Sequence, residues 1–513
     1  MYTSFFVFSL FSLQYLVEIF LIFYKQKLVV FFVCFFLLFF IACILSLFFI
    51  DSKNKKKIQT LSLVLVSFIF LFSCGLLNNF DSNLYSFQYV ISYTIGSELM
   101  NLKYAFGLDN ISILFFVLSS FLIFLCFLFI LEEKNFKEYA IALLVIEVFL
   151  LLIFSVLDLL LFYVFFEAIL IPMYLLIGVW GSRERKTRAA YLFFFYTLCG
   201  SIMLLIGILY LYITTGTLNL EYILSFQFSL NEQKILWICF FLSFASKIPM
   251  FPFHIWLPEA HVEAPTVGSV LLAGILLKLG VYGFIRFSLT LFPEASFFFS
   301  PVVYLLSIIG VLYASMSAIR QTDLKRIIAY SSVAHMNLVT IGIFSFNVVG
   351  IEGAILQSVS HGFVAGGMFL LIGVLYDRYH SRFLHYYGGL VHMMPIYAVF
   401  LLVFTLANIA LPGTSSFVGE FLLLAGIYKT NILTAIISAL GVILCGAYSL
   451  WLYNRIIFGN LKTEYTLTFV DVKLKEFVIL IPLFILILFM GIYPSFFSYF
   501  LHVMSINLAF LIV

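Results

Sequence analysis

The stretch FLSFASKIPMFPFHIWLPEAHVEAPTVGSVLLAGILLKLGVYGFIRF, residues 241–287, determines the fold class of this chain. It joins two apolar runs, near 234–257 and 264–289, and each run carries a lysine, Lys247 or Lys278. About 20 apolar residues cross a bilayer as an α-helix, so both runs are long enough to span a membrane. A lysine at that depth costs at least about 2.5–3.5 kcal/mol, which makes each lysine a candidate functional residue.

The whole chain has the same apolar character. Of its 513 residues, 64% are hydrophobic and 10% are charged, and the mean hydropathy is +1.17. A soluble domain is about 45–50% apolar and about 25% charged, so a water-soluble enzyme is excluded. We therefore predict an all-α polytopic membrane protein with about 14–15 transmembrane helices. The predicted spans lie near residues 4–24, 28–50, 58–77, 111–131, 138–155, 157–180, 189–215, 234–257, 264–289, 298–320, 325–346, 350–376, 395–428, 431–458 and 476–499.

Basic residues cluster in every second predicted loop. The clusters lie near residues 53–57, 134–137, 183–188, 320–326, 378–382 and 455–475. Because Lys/Arg-rich loops stay on the negative side of a membrane, these loops are predicted to face the mitochondrial matrix or the bacterial cytoplasm. The polar stretch 78–110 then faces the opposite side, and the alternation in LYSFQYV, residues 84–90, predicts a small hairpin there.

Six ionisable residues lie deep in predicted spans and in polar local settings: Glu167, Lys247, Lys278, His335, His361 and Glu420. Two prolines follow Lys247 at once and Pro412-Gly413 precedes Glu420, so both helices are predicted to be broken there. Broken helices beside ionisable residues are typical of ion transporters. A second interpretation stays open, in which Glu167 and Lys247 form a buried ion pair that only fixes helix packing.

The spacing of these residues indicates an internal repeat. Lys247 and Glu420 are 173 positions apart, and Glu167 and His335 are 168 positions apart. Five predicted spans fit each period, and because five is odd, a second copy of the unit must have the opposite orientation. We predict two inverted five-helix repeats, each with a broken helix. The predicted parts are N-terminal spans with a polar hairpin loop (1–110), a first half-channel unit (111–290, with 111–131 flanking and 138–289 as the repeat), a second inverted repeat (298–458) and a C-terminal loop with the last span (459–513).

The six candidate residues have the chemistry of a proton relay. A carboxylate beside a buried lysine holds the proton on the ammonium, so movement or neutralisation of Glu167 would release a proton from Lys247. Lys278 is expected to receive it, the two histidines suit intermediate sites, and Glu420 is the expected terminal site. The remaining membrane carboxylates are interpreted as snorkelling or locally hydrogen-bonded: Glu18, Glu147, Asp158 and Glu352.

A metal site is the rival interpretation of the polar side chains in HIWLPEAHVEAP, residues 254–265. This stretch matches no H-E-x-x-H spacing, and we interpret it as a structural connector. The cysteines lie in apolar stretches without CxxC or CxxCH, and are predicted to be buried small hydrophobic residues. The polar side chains of the connector that were weighed as metal ligands are His254, Glu259, His261 and Glu263.

Four long motifs resemble the antiporter-like, proton-translocating subunit family of respiratory complex I, the NADH–ubiquinone oxidoreductase. They are FPFHIWLPEAHVEAPTVGSVLLAGILLKLGVYGFIRF (251–287), RQTDLKRIIAYSSVAHMNLV (320–339), SHGFVAGGMFLLIGVLYDRYHSRFLHYYGGL (360–390) and ANIALPGTSSFVGEF (407–421). The resemblance starts near residue 105 and continues to the last span. It implies a proton-pumping subunit without a redox centre or metal of its own. FMN, iron–sulfur clusters and ubiquinone would then bind to partner subunits.

The resemblance also implies roles for individual residues. Glu167 and Lys247 match the family's coupled pair, Lys278 its central lysine, and His335 and His361 its bridging histidines. The remaining residue, Glu420, matches the distal site, where the homologous chains 2 and 5 carry a lysine. Those chains and lipids are the expected partners, no nucleic acid is expected, and the expected location is the mitochondrial inner membrane or, alternatively, a bacterial plasma membrane.

Two departures and two alternatives accompany this resemblance. The family's LPDAH reads LPEAH at residues 257–261, which keeps an acid, and the predicted span near 4–24 is additional to the usual number. The large subunit of a multi-subunit cation/proton antiporter shares nearly all these motifs. A purely structural membrane-arm spacer, whose ion pairs only hold helices together, is the third hypothesis.

Overall fold

The computed structural model describes residues 54–95, 102–130, 135–462 and 470–512, together with Leu47, Ile50 and Asp51. These residues are mostly α-helical, which confirms the predicted fold class. The predicted span near 4–24, with Glu18, lies outside the described residues, and so does the span near 28–50 except for Leu47 and Ile50.

Each of the other thirteen predicted spans corresponds to a helix or a pair of helices. Ten helical stretches among the described residues are long and apolar enough to cross a membrane. The helices are α1 (Lys55–Asn78), α2 (Asn110–Phe129), α3 (Phe136–Ser155), α4 (Leu159–Ala168), α5 (Leu170–Trp180), α6 (Lys186–Thr215), α7 (Leu220–Leu224), α8 (Leu230–Lys247), α9 (Trp256–Glu263), α10 (Thr266–Leu291), α11 (Pro293–Arg320), α12 (Leu324–Ile343), α13 (Val348–Tyr379), α14 (Pro395–Asn408), α15 (Ser415–Thr430), α16 (Ile432–Ile457), α17 (Leu474–Ile492) and α18 (Ser495–Ile512).

Helices α10 and α13 form the centre of the bundle. Every residue in the most apolar window of each is buried, whereas less than half of the corresponding residues of α1, α6 and α17 are buried. Two π-helical segments, Leu272–Leu276 and Phe284–Ser288, interrupt α10 on either side of Lys278. Short π-helical segments within α-helices occur frequently at functional sites, so the centre of the fold is also where a site is expected.

Both predicted helix breaks are present. Helix α8 ends at Lys247 and α9 begins at Trp256, while α14 ends at Asn408 and α15 begins at Ser415. The prolines after Lys247 remove backbone donors, and the Trp256 indole donates to the carbonyl oxygen of Ser246 at 2.9 Å. The carbonyl beside the break therefore keeps a hydrogen bond inside the protein, as a membrane interior requires.

The predicted hairpin is a two-stranded antiparallel sheet. Strand β1 covers Gln88–Ile95 and pairs with β2, Leu102–Leu108. Only the last three residues of the predicted alternating stretch belong to β1, so the hairpin begins later than predicted. Directly after β2, Asp109 caps α2 by accepting a hydrogen bond from the backbone of Ser112 at 2.9 Å, which fixes the hairpin to the start of that helix.

The predicted C-terminal boundary of the last span, 476–499, is wrong. Helix α17 ends at Ile492, Pro494 follows, and a separate helix, α18, begins at Ser495. Apolar residues continue across this turn, so hydropathy alone could not reveal it. The C-terminal part of the chain therefore contributes two helices, and α18 packs against α13.

Candidate functional site

Lys247 lies at the break between α8 and α9. It is the last residue of α8 and is buried, and its Nζ stands 4.4 Å from the centre of the Phe166 ring. Glu167 is the residue after Phe166 in α4, and its carboxylate interacts electrostatically with Lys247. Among the described residues, Lys247 Nζ has no hydrogen-bond partner, and no ion pair within 4.0 Å joins it to Glu167. The two side chains therefore interact through space, without a direct ion-pair contact in this structure.

Lys278 occupies the centre of the bundle between the two π-helical segments of α10. Its Nζ donates to the carbonyl oxygen of Ala273 at 2.5 Å, within the first of these segments. The same nitrogen lies 2.8 Å from Nδ1 of His361 on α13. Both side chains are buried, so the lysine and the histidine can exchange a proton directly without passing through bulk water.

His335 and Glu420 extend the row of buried polar contacts from His361 toward α15. The imidazole ring of His335 is 5.8 Å from that of His361, and its Nδ1 lies 2.8 Å from Oε1 of Glu420. Gln357 of α13 donates from Nε2 to the same Glu420 oxygen at 3.0 Å. The hydroxyl of Ser360 in turn donates to Gln357 Oε1 at 3.1 Å, so the carboxylate is held by a buried polar network.

Four of the six predicted residues therefore form one buried row in space. In order, they are Lys278, His361, His335 and Glu420. Glu167 and Lys247 form a separate pair. The sequence prediction missed Gln357, although it precedes His361 by four residues and helical spacing places the two on one face of α13.

Cys445 was also missed, because it was interpreted as a small hydrophobic residue. Its sulfur lies 3.6 Å from Nε2 of His335 and 2.9 Å from the hydroxyl of Tyr448. Cys445 and Tyr448 are separated by one turn of α16, and both are buried. The cysteine is therefore buried as predicted but is a polar contact of His335. Of the other described cysteines, Cys126 is buried, Cys74 and Cys239 are half-buried, and Cys199 is exposed, so the predicted burial is wrong for Cys199.

The stretch predicted to be a connector is largely helical and buried. Within α9, His261 stacks on the Phe369 ring at 4.7 Å, and Glu263 pairs with Arg382 at 3.0 Å. Arg382 also pairs with Asp323 at 2.8 Å, in front of the start of α12. Burial raises the pKa of the Asp323 carboxyl, and the Arg382 guanidinium opposes that effect.

The other two side chains weighed as metal ligands have different surroundings. Glu259 pairs with Arg326 at 2.7 Å, and the His254 ring packs edge-on to Tyr313 at 5.1 Å. Within the part of the chain that the structure describes, no group of three or more His, Cys, Asp or Glu is arranged to hold a metal ion. The charged residues of this stretch therefore tie α9 to its neighbouring helices.

A further buried ion pair joins the hairpin end of α2 to α10. Arg286 lies 2.6 Å from Asp109 and donates from Nε to the hydroxyl of Tyr282 at 3.2 Å. Lys278, Tyr282 and Arg286 follow one another at intervals of four residues, so they share one face of α10. This pair escaped the sequence analysis because Asp109 and Arg286 are 177 positions apart in the chain.

Comparison with known proteins agrees with this architecture. The family model described as NADH:quinone oxidoreductase/Mrp antiporter, transmembrane, matches residues 156–445. NADH-ubiquinone oxidoreductase chain 4 of Chondrus crispus is 52% identical over 461 residues, which cover 90% of this chain and 94% of that protein. A chain of respiratory complex I from Thermus thermophilus with bound NADH has a TM-score of 0.83 at 31% identity, covering 92% of this chain and 100% of that chain.

The Mrp complex from Dietzia sp. DQ12-45-1b has a TM-score of 0.81 at 19% identity, covering 94% of this chain and 97% of that chain, and this likeness shows the fold alone. Fold and site together define an antiporter-like polytopic membrane protein. The chain belongs to the NADH:quinone oxidoreductase/Mrp antiporter transmembrane family, and within it to the NADH-ubiquinone oxidoreductase chain 4 group. The predicted family and the prediction of an oxidoreductase subunit are thereby confirmed, and the separate antiporter has less support.

Proposed function

We propose that this chain translocates protons within the membrane arm of NADH:ubiquinone oxidoreductase, driven by quinone reduction in other subunits. The observation that carries the proposal is the buried row from Lys278 to Glu420, with direct contacts of 2.8 Å at both ends. Ionisable side chains inside a membrane are costly and mark ion pathways or proton relays. Lysine, imidazole and carboxylate groups at hydrogen-bond distance can pass a proton from one to the next.

The proposed relay begins at the separate pair. A charge shift that reaches Glu167 changes the field at Lys247, whose Nζ is held by a ring face, so its proton can leave with little loss of hydrogen bonding. Lys278 receives that proton. His361 and His335 then carry it to Glu420, which completes a Glu–Lys–Lys–His–His–Glu relay in which Glu167 supplies the controlling charge and the other five residues carry the proton.

The two broken helices support the predicted inverted repeats. One break directly follows Lys247, and the other precedes Glu420 by a few residues, so each unit has one carrier beside irregular backbone. Units of opposite orientation give one half-channel toward each side of the membrane. This arrangement is part of the proposal, since alternating access needs two oppositely directed half-channels.

The surroundings of the chain are proposed from its relatives. We place it in the mitochondrial inner membrane with the Lys/Arg-rich loops on the matrix side, and with chains 2 and 5 and lipids as neighbours. NADH, FMN, iron–sulfur clusters and ubiquinone would be bound by other subunits. The charged loops and the apolar exterior are consistent with that setting.

Membership of the complex is tested by native electrophoresis. Gently solubilised membranes are separated, stained for NADH oxidation, and probed with an antibody against this chain. Co-migration with a large NADH-oxidising band supports the proposal. Migration in a smaller assembly without NADH oxidation would favour the cation/proton antiporter, and cation/proton exchange would then be measured.

The relay is tested by Glu167→Gln, which keeps the size of the side chain but removes its charge. We expect pumping to fall by about 10²-fold or more, because removing one preorganised electrostatic contact inside a water-excluded site costs about 10²–10³-fold in rate. Exposed Glu221, changed to Gln, is the matched control. Wild-type pumping in an assembled Glu167→Gln complex would refute the role of this residue.

Lys278→Ala separates a relay from a structural spacer. If the lysine only holds helices together, pumping and the amount of assembled complex fall in proportion. If it carries protons, pumping per assembled complex falls further than assembly does. Quantifying the complex by its NADH oxidation with a hydrophilic electron acceptor makes the two outcomes distinguishable.

A further inference from the structure

Cys445 lies in the middle of α16, and its buried sulfur contacts polar groups from three helices. Nε2 of His335, on α12, is 3.6 Å from the sulfur, and the hydroxyl of Tyr448, one turn further along α16, is 2.9 Å from it. The Cys445 thiol donates to the backbone carbonyl of Asn408, at the end of α14, at 3.3 Å. Nδ2 of the Asn408 side chain lies 3.7 Å from the same sulfur. These four contacts distinguish Cys445 from a cysteine that only fills apolar space.

The carbonyl of Asn408 is available to the thiol because of the helix break. Within an α-helix, each carbonyl oxygen accepts a hydrogen bond from the backbone N–H four residues further along the chain. The residue four positions after Asn408 is Pro412, which has no backbone N–H. Helix α14 ends at Asn408, so its last carbonyl lacks the usual donor. The break that precedes Glu420 therefore also supplies an acceptor for the Cys445 thiol.

His335 has a polar partner at each of its two ring nitrogens. Nδ1 lies 2.8 Å from Oε1 of Glu420, and Nε2 faces the Cys445 sulfur. A histidine that relays a proton takes it up at one nitrogen and gives it up at the other, so each nitrogen is protonated in one state and bare in another. A bare nitrogen accepts a hydrogen bond, and a protonated one donates. Since a buried polar atom without a partner is costly, the partner of Nε2 has to be able both to donate and to accept.

A thiol with a second acceptor nearby meets this requirement. Its sulfur accepts a hydrogen bond, and its one proton turns about the Cβ–Sγ bond. When Nε2 of His335 is protonated, it donates to the sulfur, and the thiol proton points to the Asn408 carbonyl. When Nε2 is bare, the thiol proton turns toward it, while the Tyr448 hydroxyl donates to the sulfur in both states. No heavy atom has to move, and the thiol keeps its proton throughout.

We propose that Cys445 is a positioning residue of the relay, which keeps His335 paired at Nε2 in both of its protonation states. The carbonyl freed by Pro412 and the hydroxyl of Tyr448 complete the arrangement. Without the thiol, one state of His335 has an unpaired buried nitrogen, and proton transfer to Glu420 slows. This inference rests on the proposed function, because Cys445 acts only through the relay histidine.

The matched variants Cys445→Ser and Cys445→Ala separate this role from packing. Both remove the sulfur atom, but Cys445→Ser keeps one donor and one acceptor on the side chain. A packing role predicts equal pumping by the two variants. The positioning role predicts that Cys445→Ala lowers pumping by about 10–100-fold, which is the usual loss when a metal-bound histidine loses the partner that fixes its tautomer. Cys445→Ser is expected to recover most of that loss.

Pumping per assembled complex is measured with the whole purified complex in sealed vesicles, with NADH and ubiquinone. Cys126→Ala, at another buried cysteine on α2, is the control for loss of a sulfur atom and is expected to pump like the wild type. Equal pumping by the assembled Cys445→Ser and Cys445→Ala variants overturns the proposal. Wild-type pumping by Cys445→Ala overturns it as well.

Tyr448→Phe decides the question if neither Cys445 variant assembles. It keeps the ring and the sulfur and removes only the hydroxyl, so we expect pumping to fall by about 2–10-fold, the equivalent of one hydrogen bond. Wild-type pumping by Tyr448→Phe would then overturn the proposal. Glu420→Gln is measured in parallel: if it pumps normally, the proposed relay itself fails, and if it alone is impaired, only the role of Cys445 fails.

Discussion

The Gly280→Ala substitution tests whether pumping depends on the close approach of α10 to the break between α8 and α9. Gly280 is two residues after Lys278, and a Cβ there would lie 2.5 Å from Cγ1 of Ile248 and 2.9 Å from the carbonyl oxygen of Phe244. That carbonyl accepts the last hydrogen bond of α8, from the Ile248 backbone at 2.9 Å. The added methyl group thus presses on the Ile248 side chain and on the backbone carbonyl of Phe244, and the backbone cannot move aside as the end of a flexible side chain does.

The structure sets the size of the expected effect. Relief of these contacts requires a shift of about 0.5–1 Å between α8 and α10, and overpacking of this kind costs about 1–3 kcal/mol. A displacement of about 1 Å between reacting groups can cost about 10²-fold in rate. We therefore expect Gly280→Ala to assemble with a lowered melting temperature and to pump about 10–100-fold more slowly.

Gly366→Ala is the matched control, since Gly366 is equally buried in α13. A Cβ at Gly366 meets its nearest atoms, of Leu122 and Val270, at 3.6 and 3.7 Å, which is ordinary van der Waals contact. Proton uptake into vesicles and thermal unfolding of the purified complex are measured for both variants. Equal pumping by the two variants would refute the argument that spacing between α8 and α10 limits the transfer.

The remaining predictions concern buried charges away from the relay. Arg382→Met leaves the carboxylates of Glu263 and Asp323 buried without their partner, so we expect a loss of about 3–5 kcal/mol, measured by thermal unfolding; unchanged stability would contradict the assignment. Glu147 is fully buried, and neither of its carboxyl oxygens has a hydrogen-bond partner among the described residues. Glu147→Leu should therefore leave stability unchanged or raise it by about 1–4 kcal/mol, and a lower melting temperature would count against this.

The predictable part of the fold depended on features that are local in the chain. The spans follow from runs of apolar residues, and the two breaks follow from Pro249 and from Pro412-Gly413, because proline removes a backbone donor wherever it occurs. The turn at Pro494 was missed because the apolar residues around it continue without interruption. Asp158 also behaves as predicted: it accepts hydrogen bonds from the next turn of backbone at 3.0 Å.

The candidate site was predictable as a set of residues but only partly as an arrangement. An ionisable side chain in an apolar run can be recognised from the sequence alone. The side chains that surround it in space depend on how the helices pack. The wrong interpretations had this cause: Cys445 contacts His335 across two helices, and Glu352 meets His502 from 150 positions away. Local composition contains no information about either contact.

The π-helical segments of α10 determine where the sequence of this helix can gain or lose a residue. A π-helical turn holds nearly one residue more than an α-helical turn, so each segment behaves as an accommodated insertion. Deleting one residue from Leu272–Leu276 would therefore give regular α-helix in which Lys278 keeps nearly its present direction, because a π-helical turn and an α-helical turn with one residue fewer rotate the chain by nearly the same angle. A deletion from a regular α-helical stretch has no such compensation and rotates the residues that follow by about 100°. The π-helical segments are therefore the places in α10 where we expect a one-residue insertion or deletion to be tolerated without turning Lys278 away from His361.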